Sequence, residues 1–118
     1  MAQKYIVGDI VMYKNRIHTI IDILASNGYE LSYVRHPVSP VRLSGVPLTP
    51  EILEKNGWKS INGKYTLKIK NANYLVLDFT EDGIYTYINE NIMLFVIKYV
   101  HELQHLLFGL GLNSEMEV

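Results

Sequence analysis

His101 and His105 stand four residues apart with Glu102 beside the first, in the stretch Phe95 to Leu110, FVIKYVHELQHLLFGL. On an α-helix, residues i and i+4 share a face, so the two imidazoles could hold one metal ion. The spacing is that of the H-E-x-x-H pattern of helical zinc hydrolases, where the glutamate is the general base on a metal-bound water. A catalytic zinc centre also needs a third protein ligand and an open fourth position. The residues that follow do not supply one. In the longer H-E-x-x-H-x-x-G-x-x-H pattern, Phe108 stands in place of the glycine and Gly111 in place of the third histidine. Glu115 and Glu117 lie in a short polar tail that should fray. His18 and His36 could contribute only through the fold.

A plainer reading covers the same residues. Lys98, His101, Glu102 and His105 follow an i, i+3, i+4, i+7 series, the polar stripe of an amphipathic helix near 97–109. Val96, Val100, Leu103, Leu107 and Leu110 form the opposite apolar stripe. Lys98 and Glu102 make an i, i+4 pair of opposite sign, worth about 0.3 kcal/mol when exposed. On this reading there is no catalytic residue, metal or cofactor. Zinc on His101 and His105, with Glu102 as base, is the alternative. A second surface for a ligand or partner is Arg35, His36 and Arg42, within a segment that holds all four prolines, RHPVSPVRLSGVPLTP. Its two arginines make it locally basic.

The elements that must position these residues are mostly strands. Over 4–34 the pattern predicts a β-meander. Gly8-Asp9 turns before Ile10 to Tyr13, and Lys14-Asn15 reverses the chain. From Arg16 to Leu24, Ile17, Thr19, Ile21 and Ile23 alternate with Arg16, His18 and Asp22, an apolar face and a polar one, and Ile20 and Leu24 interrupt the polar face, which predicts partial cover on both sides with His18 toward solvent. Ser26-Asn27-Gly28 is a hairpin signal, because Asn-Gly accepts the positive φ angles of a primed turn. The order of these pieces looks like an SH3-like small barrel, with Val41-Arg42-Leu43 as its last short strand. Such barrels host many functions.

Thr49-Pro50-Glu51 opens a short helix near 50–56, with Thr49 as cap and Pro50 in the first turn, and Asn56-Gly57 ends it. Trp58 should pack over its end. A second meander follows over 60–97, with turns at Asn71-Ala72-Asn73, Glu81-Asp82-Gly83 and Asn89-Glu90-Asn91. Ile92 to Phe95 read either as a last strand or as the start of the helix. The expected class is α+β, with antiparallel meanders, an N-terminal barrel and a second sheet. The 118 residues suit a single compact unit, 1–118, with an optional division into 1–46 and a helix-meander-helix part, 47–118.

Composition narrows the function classes. The net charge of −1 gives no basic excess for a nucleic-acid backbone. The absence of cysteine removes disulfides, thiolate zinc sites and a thiol nucleophile. No apolar run reaches the roughly 18 residues of a membrane span. MAQKYIVGDIV has no apolar core of signal-peptide length, so a cytoplasmic protein is expected.

Three motifs carry a resemblance. Val46-Pro47-Leu48-Thr49-Pro50-Glu51-Ile52-Leu53, Lys55-Asn56-Gly57-Trp58 and Lys98-Tyr99-Val100-His101-Glu102-Leu103-Gln104, in that order around a meander, resemble a group of small uncharacterised proteins of anaerobic gut bacteria, their phages and other mobile elements. The likeness covers roughly 44–112 and is looser before it. In that group the positions of His105 and Glu102 vary, and no reaction is assigned. The resemblance implies a non-catalytic accessory or interaction protein, binding a protein or small-molecule partner and able to form a homodimer. Two alternatives remain. One is a small-ligand binder that sequesters a nucleotide signal; the other is the zinc hydrolase.

Overall fold

Turn residues set the limits of the strands. The computed structural model describes residues 5–26, 28–89 and 91–118, so Asn27 and Glu90 of two expected turns lie outside the described residues. Lys14 and Asn15 both have positive φ, 50° and 62°, the backbone of a primed hairpin turn. They join β1 (Ile10–Tyr13) to β2 (Arg16–Ile23). The chain continues through β3 (Tyr29–Leu31), a 3-10 turn at Pro40–Arg42 and β4 (Ser44–Gly45). These four strands form an antiparallel sheet in the order β3-β2-β1-β4.

The sheet stays open: among the described residues no pairing joins β3 to β4, and the expected barrel does not close. Val41 and Arg42 lie in the 3-10 turn, not in a last strand, because Pro40 at its start fixes a helical φ and donates nothing to a ladder. The expected faces of β2 are inverted. Val11 and Tyr13 of β1 are buried and stand opposite His18 and Arg16, so the His18 face of β2 is the covered one. Ile20 fills it at 0% exposure, while Ile17, Ile21 and Ile23 are 43–53% exposed on a strand whose register shifts between Ile20 and Asp22.

The chain divides into two compact units. The first is Met1–Pro47 with Tyr99–Met116, and the second is Leu48–Lys98 with Glu117–Val118. The C-terminal helix α2 (Val100–Gly109) therefore belongs with the N-terminal sheet, not with the second meander as the expected 47–118 division had it. The tie is main chain as well as side chain: Val100 N donates to Val46 O at 2.8 Å, and Pro47 bridges Tyr99.

In the second unit α1 (Pro50–Lys55) begins as expected, with Thr49 Oγ1 accepting from Ile52 N at 3.3 Å. Gly57, at φ 86°, lets Trp58 N reach Leu53 O and Gly57 N reach Glu54 O, a Schellman stop. Trp58 is thereby buried over the end of the helix. The strands β5 (Lys59–Ile61), β6 (Lys64–Lys68), β7 (Tyr74–Thr80), β8 (Gly83–Ile88) and β9 (Ile92–Ile97) follow. They make a five-stranded antiparallel meander in chain order. Leu75, Val76 and Leu77 are consecutive and all buried, so the central strand is covered on both faces. The fold is α+β, and Ile92 to Ile97 are strand. No helix among the described residues is long and apolar enough to cross a membrane.

Candidate functional site

The H-E-x-x-H residues lie on α2, but its polar stripe is only partly solvated, with the His105 side chain 35% exposed. His101 is 1% exposed and Gln104 is 4% exposed. Both sit among groups contributed by the start of the chain. Gln104 Oε1 accepts from Ile10 N at 2.9 Å, and its Nε2 donates to Gly8 O at 2.9 Å and Ser114 O at 3.1 Å. The polar tail expected to fray is instead tied down, with Ser114 O held by this amide and Glu117 N donating to Asn56 Oδ1 at 2.9 Å. His105 Nε2 donates to the buried Asp9 Oδ2 at 2.8 Å, and Ile6 N donates to the same carboxylate at 2.9 Å. The His101 ring is edge-on to Tyr5 at 5.0 Å and to His105 at 5.8 Å, and stacked on Tyr99 at 5.7 Å.

These surroundings decide the protonation of His101. Burial pushes its pKa below the ordinary value of 6.5, and the Asp9 and Glu102 carboxylates only partly oppose that. Burial also raises the Tyr5 phenol, with Tyr29 and Asp9 adding to the effect. Glu102 has a structural role: its Oε1 accepts from Tyr99 N at 3.0 Å, the reaching-back half of a capping box. The sequence placed His101, Glu102 and His105 on one helix face correctly. It did not reveal that Asp9 takes His105, nor that the first turn of the helix takes Glu102. Among the described residues no group of three or more His, Asp or Glu side chains is gathered as metal ligands.

Two clefts on the first unit share Val41, which is 83% exposed, in their linings. One, of about 330 Å³, is lined by Tyr5, Tyr99, Leu43, Ser44, Gly45 and the Pro40–Val41 turn. The Tyr99 ring is fixed from both sides. A Cβ on Gly45 would lie 2.5 Å from Tyr99 Cγ, so only glycine permits this approach, and His101 stacks on the ring. The other cleft, of about 370 Å³, is lined by Tyr13, Lys14, Val41 and Arg42. Lys14 Nζ lies 5.4 Å from the Tyr13 ring centroid, and the His36 ring is 6.5 Å from Tyr13.

Of the predicted ligand surface, Arg42 and His36 thus converge on Tyr13, while Arg35 is exposed and lines neither cleft. Lys14, Tyr5 and Tyr99 were missed as site residues. Lys14 reads only as turn chemistry, and the tyrosines read as core.

On the second unit, β9 is the outer strand of its sheet and carries IMLFVI without a charge. Ile92 is 60% exposed, Met93 48%, Phe95 60% and Val96 42%. The register against β8 shifts between Tyr85 and Tyr87, and the buried Thr86 hydroxyl bridges the gap. It accepts from Phe95 N at 2.9 Å and donates to Phe95 O at 2.8 Å. Gly83 completes the fit, since a Cβ there would lie 2.8 Å from Val96 Cγ1. Comparison with protein-family models, with curated proteins and with solved structures found no match for this chain.

Proposed function

We propose that this chain is a non-enzymatic interaction module that pairs with a second copy of itself through β9. The observation that carries the reading is the uncharged outer strand with four exposed apolar residues of six. Edge strands usually carry charges, kinks or short lengths that prevent pairing with another chain. The opposite edge of the same sheet follows that rule: β5 has three residues and begins on Lys59. β9 carries the bulge opposite Thr86 but no such charge, and it is six residues long. The exposed isoleucines of β2 are a poorer candidate, because β2 is an inner strand and offers only a face.

The partner is argued from self-complementarity. A twofold axis sets Ile92–Ile97 of one copy antiparallel to the same run of the other. With no charge in the run, no like charges oppose each other. The four exposed side chains offer roughly 400 Å² per copy, ~800 Å² for the pair, which is the low end for a biological interface. At about 25 cal/mol per Å² that is ~20 kcal/mol gross as an upper limit. Association and side-chain ordering cost ~4–15 kcal/mol or more. At the upper end of that cost the surplus is only about 5 kcal/mol, which makes a weak dimer, tightened by the added main-chain ladder. The accessory role implied by the resemblance to small mobile-element proteins, in the cytoplasm and with no reaction assigned, is part of the same proposal.

Sedimentation equilibrium over a wide concentration range tests it. The wild-type mass should climb from 13.6 kDa toward twice that value, and Phe95→Lys should stay at the monomer mass with an unchanged melting temperature. A wild type that stays monomeric at millimolar concentration, or a Phe95→Lys variant that dimerises equally, contradicts the proposal.

A further inference from the structure

Strand alternation and register put Tyr74, Val76, Tyr85 and Tyr87 on one face of the second sheet, with Val76 opposite Tyr87 and Asp78 opposite Tyr85. Lys59, Lys64 and Lys68 of β5 and β6 share that face: Lys59 stands opposite Thr66, Thr66 opposite Val76, and Lys68 opposite Tyr74. Val76 is covered, but Tyr74 is 42% exposed, and Tyr85 and Tyr87 are half-buried. A cleft of about 280 Å³ opens on the face, lined by Ile61, Thr66, Tyr74, Val76 and Asn89. We infer that this face binds single-stranded nucleic acid, its phosphates along the lysines of β5 and β6 and its bases on the tyrosines of β7 and β8.

The rings and the charges are both unclaimed. Among the described residues, none of these three tyrosines pairs with another aromatic ring, so no ring of the chain takes the place of a base. Nor is any of the three ammonium groups held in an ion pair. Asp78 is the one acidic side chain that strand pairing places on this face. Three lysines against one aspartate leave a positive face on a chain whose net charge is −1. The lysines also form a track. Lys64 and Lys68 are roughly 13 Å apart along β6, and Lys59 pairs at the midpoint between them. Tyr74 lies one strand further across and Tyr87 two, about 5 and 10 Å from β6. A nucleic-acid strand can therefore keep its phosphates on the lysines while its bases cross to the rings. Stacking is tolerant of base identity, and each lysine neutralises phosphate as a point charge. A duplex keeps its base faces stacked and offers the lysines alone. An acidic peptide likewise leaves the rings without a stacking partner.

Fluorescence anisotropy with labelled oligouridylate of about ten nucleotides tests the inference. It should bind roughly tenfold or more tightly than a duplex of the same length or than polyglutamate, and log affinity should fall with log salt at a slope of about −2 for three lysine contacts. Lys59→Gln/Lys68→Gln should lower affinity roughly tenfold and bring the slope to about −0.7. Both side chains are exposed, so the melting temperature should hold. Tyr74→Ala should cost about tenfold, while Tyr74→Phe, which keeps the ring, should bind like wild type. No binding up to millimolar protein overturns the inference. So does a duplex or polyglutamate bound as tightly as the single strand, or affinity that Tyr74→Ala and the lysine pair both retain. None of these changes touches β9, so the dependence of mass on concentration should match wild type, which separates this test from that of self-association.

Discussion

Gln104 directs its amide at three main-chain groups, Ile10 N, Gly8 O and Ser114 O, from a position 4% exposed. Gln104→Ala leaves those groups without their partner in a buried setting, and a loss of about 2–4 kcal/mol in unfolding free energy is expected from chemical denaturation. A change under 0.5 kcal/mol would mean that water replaces the amide freely. His101 gives a pH signature. Its folded pKa lies below the unfolded value near 6.5, so the unfolded chain binds the proton more readily. Its contribution is fully present above pH 6.5 and is lost as pH falls from there toward the folded value, with a limiting slope of about 1.4 kcal/mol per pH unit. The groups that face it are Tyr5, Tyr99, Asp9, Glu102 and His105. His101→Phe keeps a ring there and should flatten that part of the profile; an unchanged pH dependence would assign it to another group. Residue type alone did not disclose these roles. A histidine on the polar stripe of a helix looks the same in sequence whether water or Asp9 lies opposite.

At the scale of elements, most of the pattern was legible because it is local. The Thr49-Pro50 start and Asn56-Gly57 stop of α1 are set within a few residues, and so is the Lys14-Asn15 turn. Gly111 ends α2 by the same geometry as Gly57, with Leu112 N reaching Leu107 O at 2.9 Å. The Asn62-Gly63 turn between β5 and β6 was missed, although both residues have positive φ and the dipeptide is a hairpin signal. The faces of β2 were read backwards because alternation names two faces without saying which one is covered. β9 posed a related difficulty: an uncharged run reads as buried or helical from periodicity, and only its place at the sheet edge leaves it exposed. Its bulge depends on one hydroxyl. Thr86→Val keeps the shape but strands Phe95 N and O, and a cost of about 1–3 kcal/mol in thermal or denaturant unfolding is expected. A neutral substitution would show that the bulge is held by packing alone.

For the whole molecule, the return of α2 to the N-terminal sheet was the least legible feature. The contacts of Gln104 with Gly8 and of His105 with Asp9 span 96 residues, and such pairings leave no local periodic trace. The second unit is accordingly a segment placed within the first in chain order. The central claim is self-pairing through β9 of the second unit. Its most direct test is an isotope-filtered NMR experiment on an equal mixture of labelled and unlabelled protein at millimolar concentration, read for contacts between copies. Contacts from Ile92–Ile97 of one copy to Ile92–Ile97 of the other, in an antiparallel register, are the predicted result. Contacts that map instead to the exposed isoleucines of β2, or no contacts between copies at all, would contradict the account.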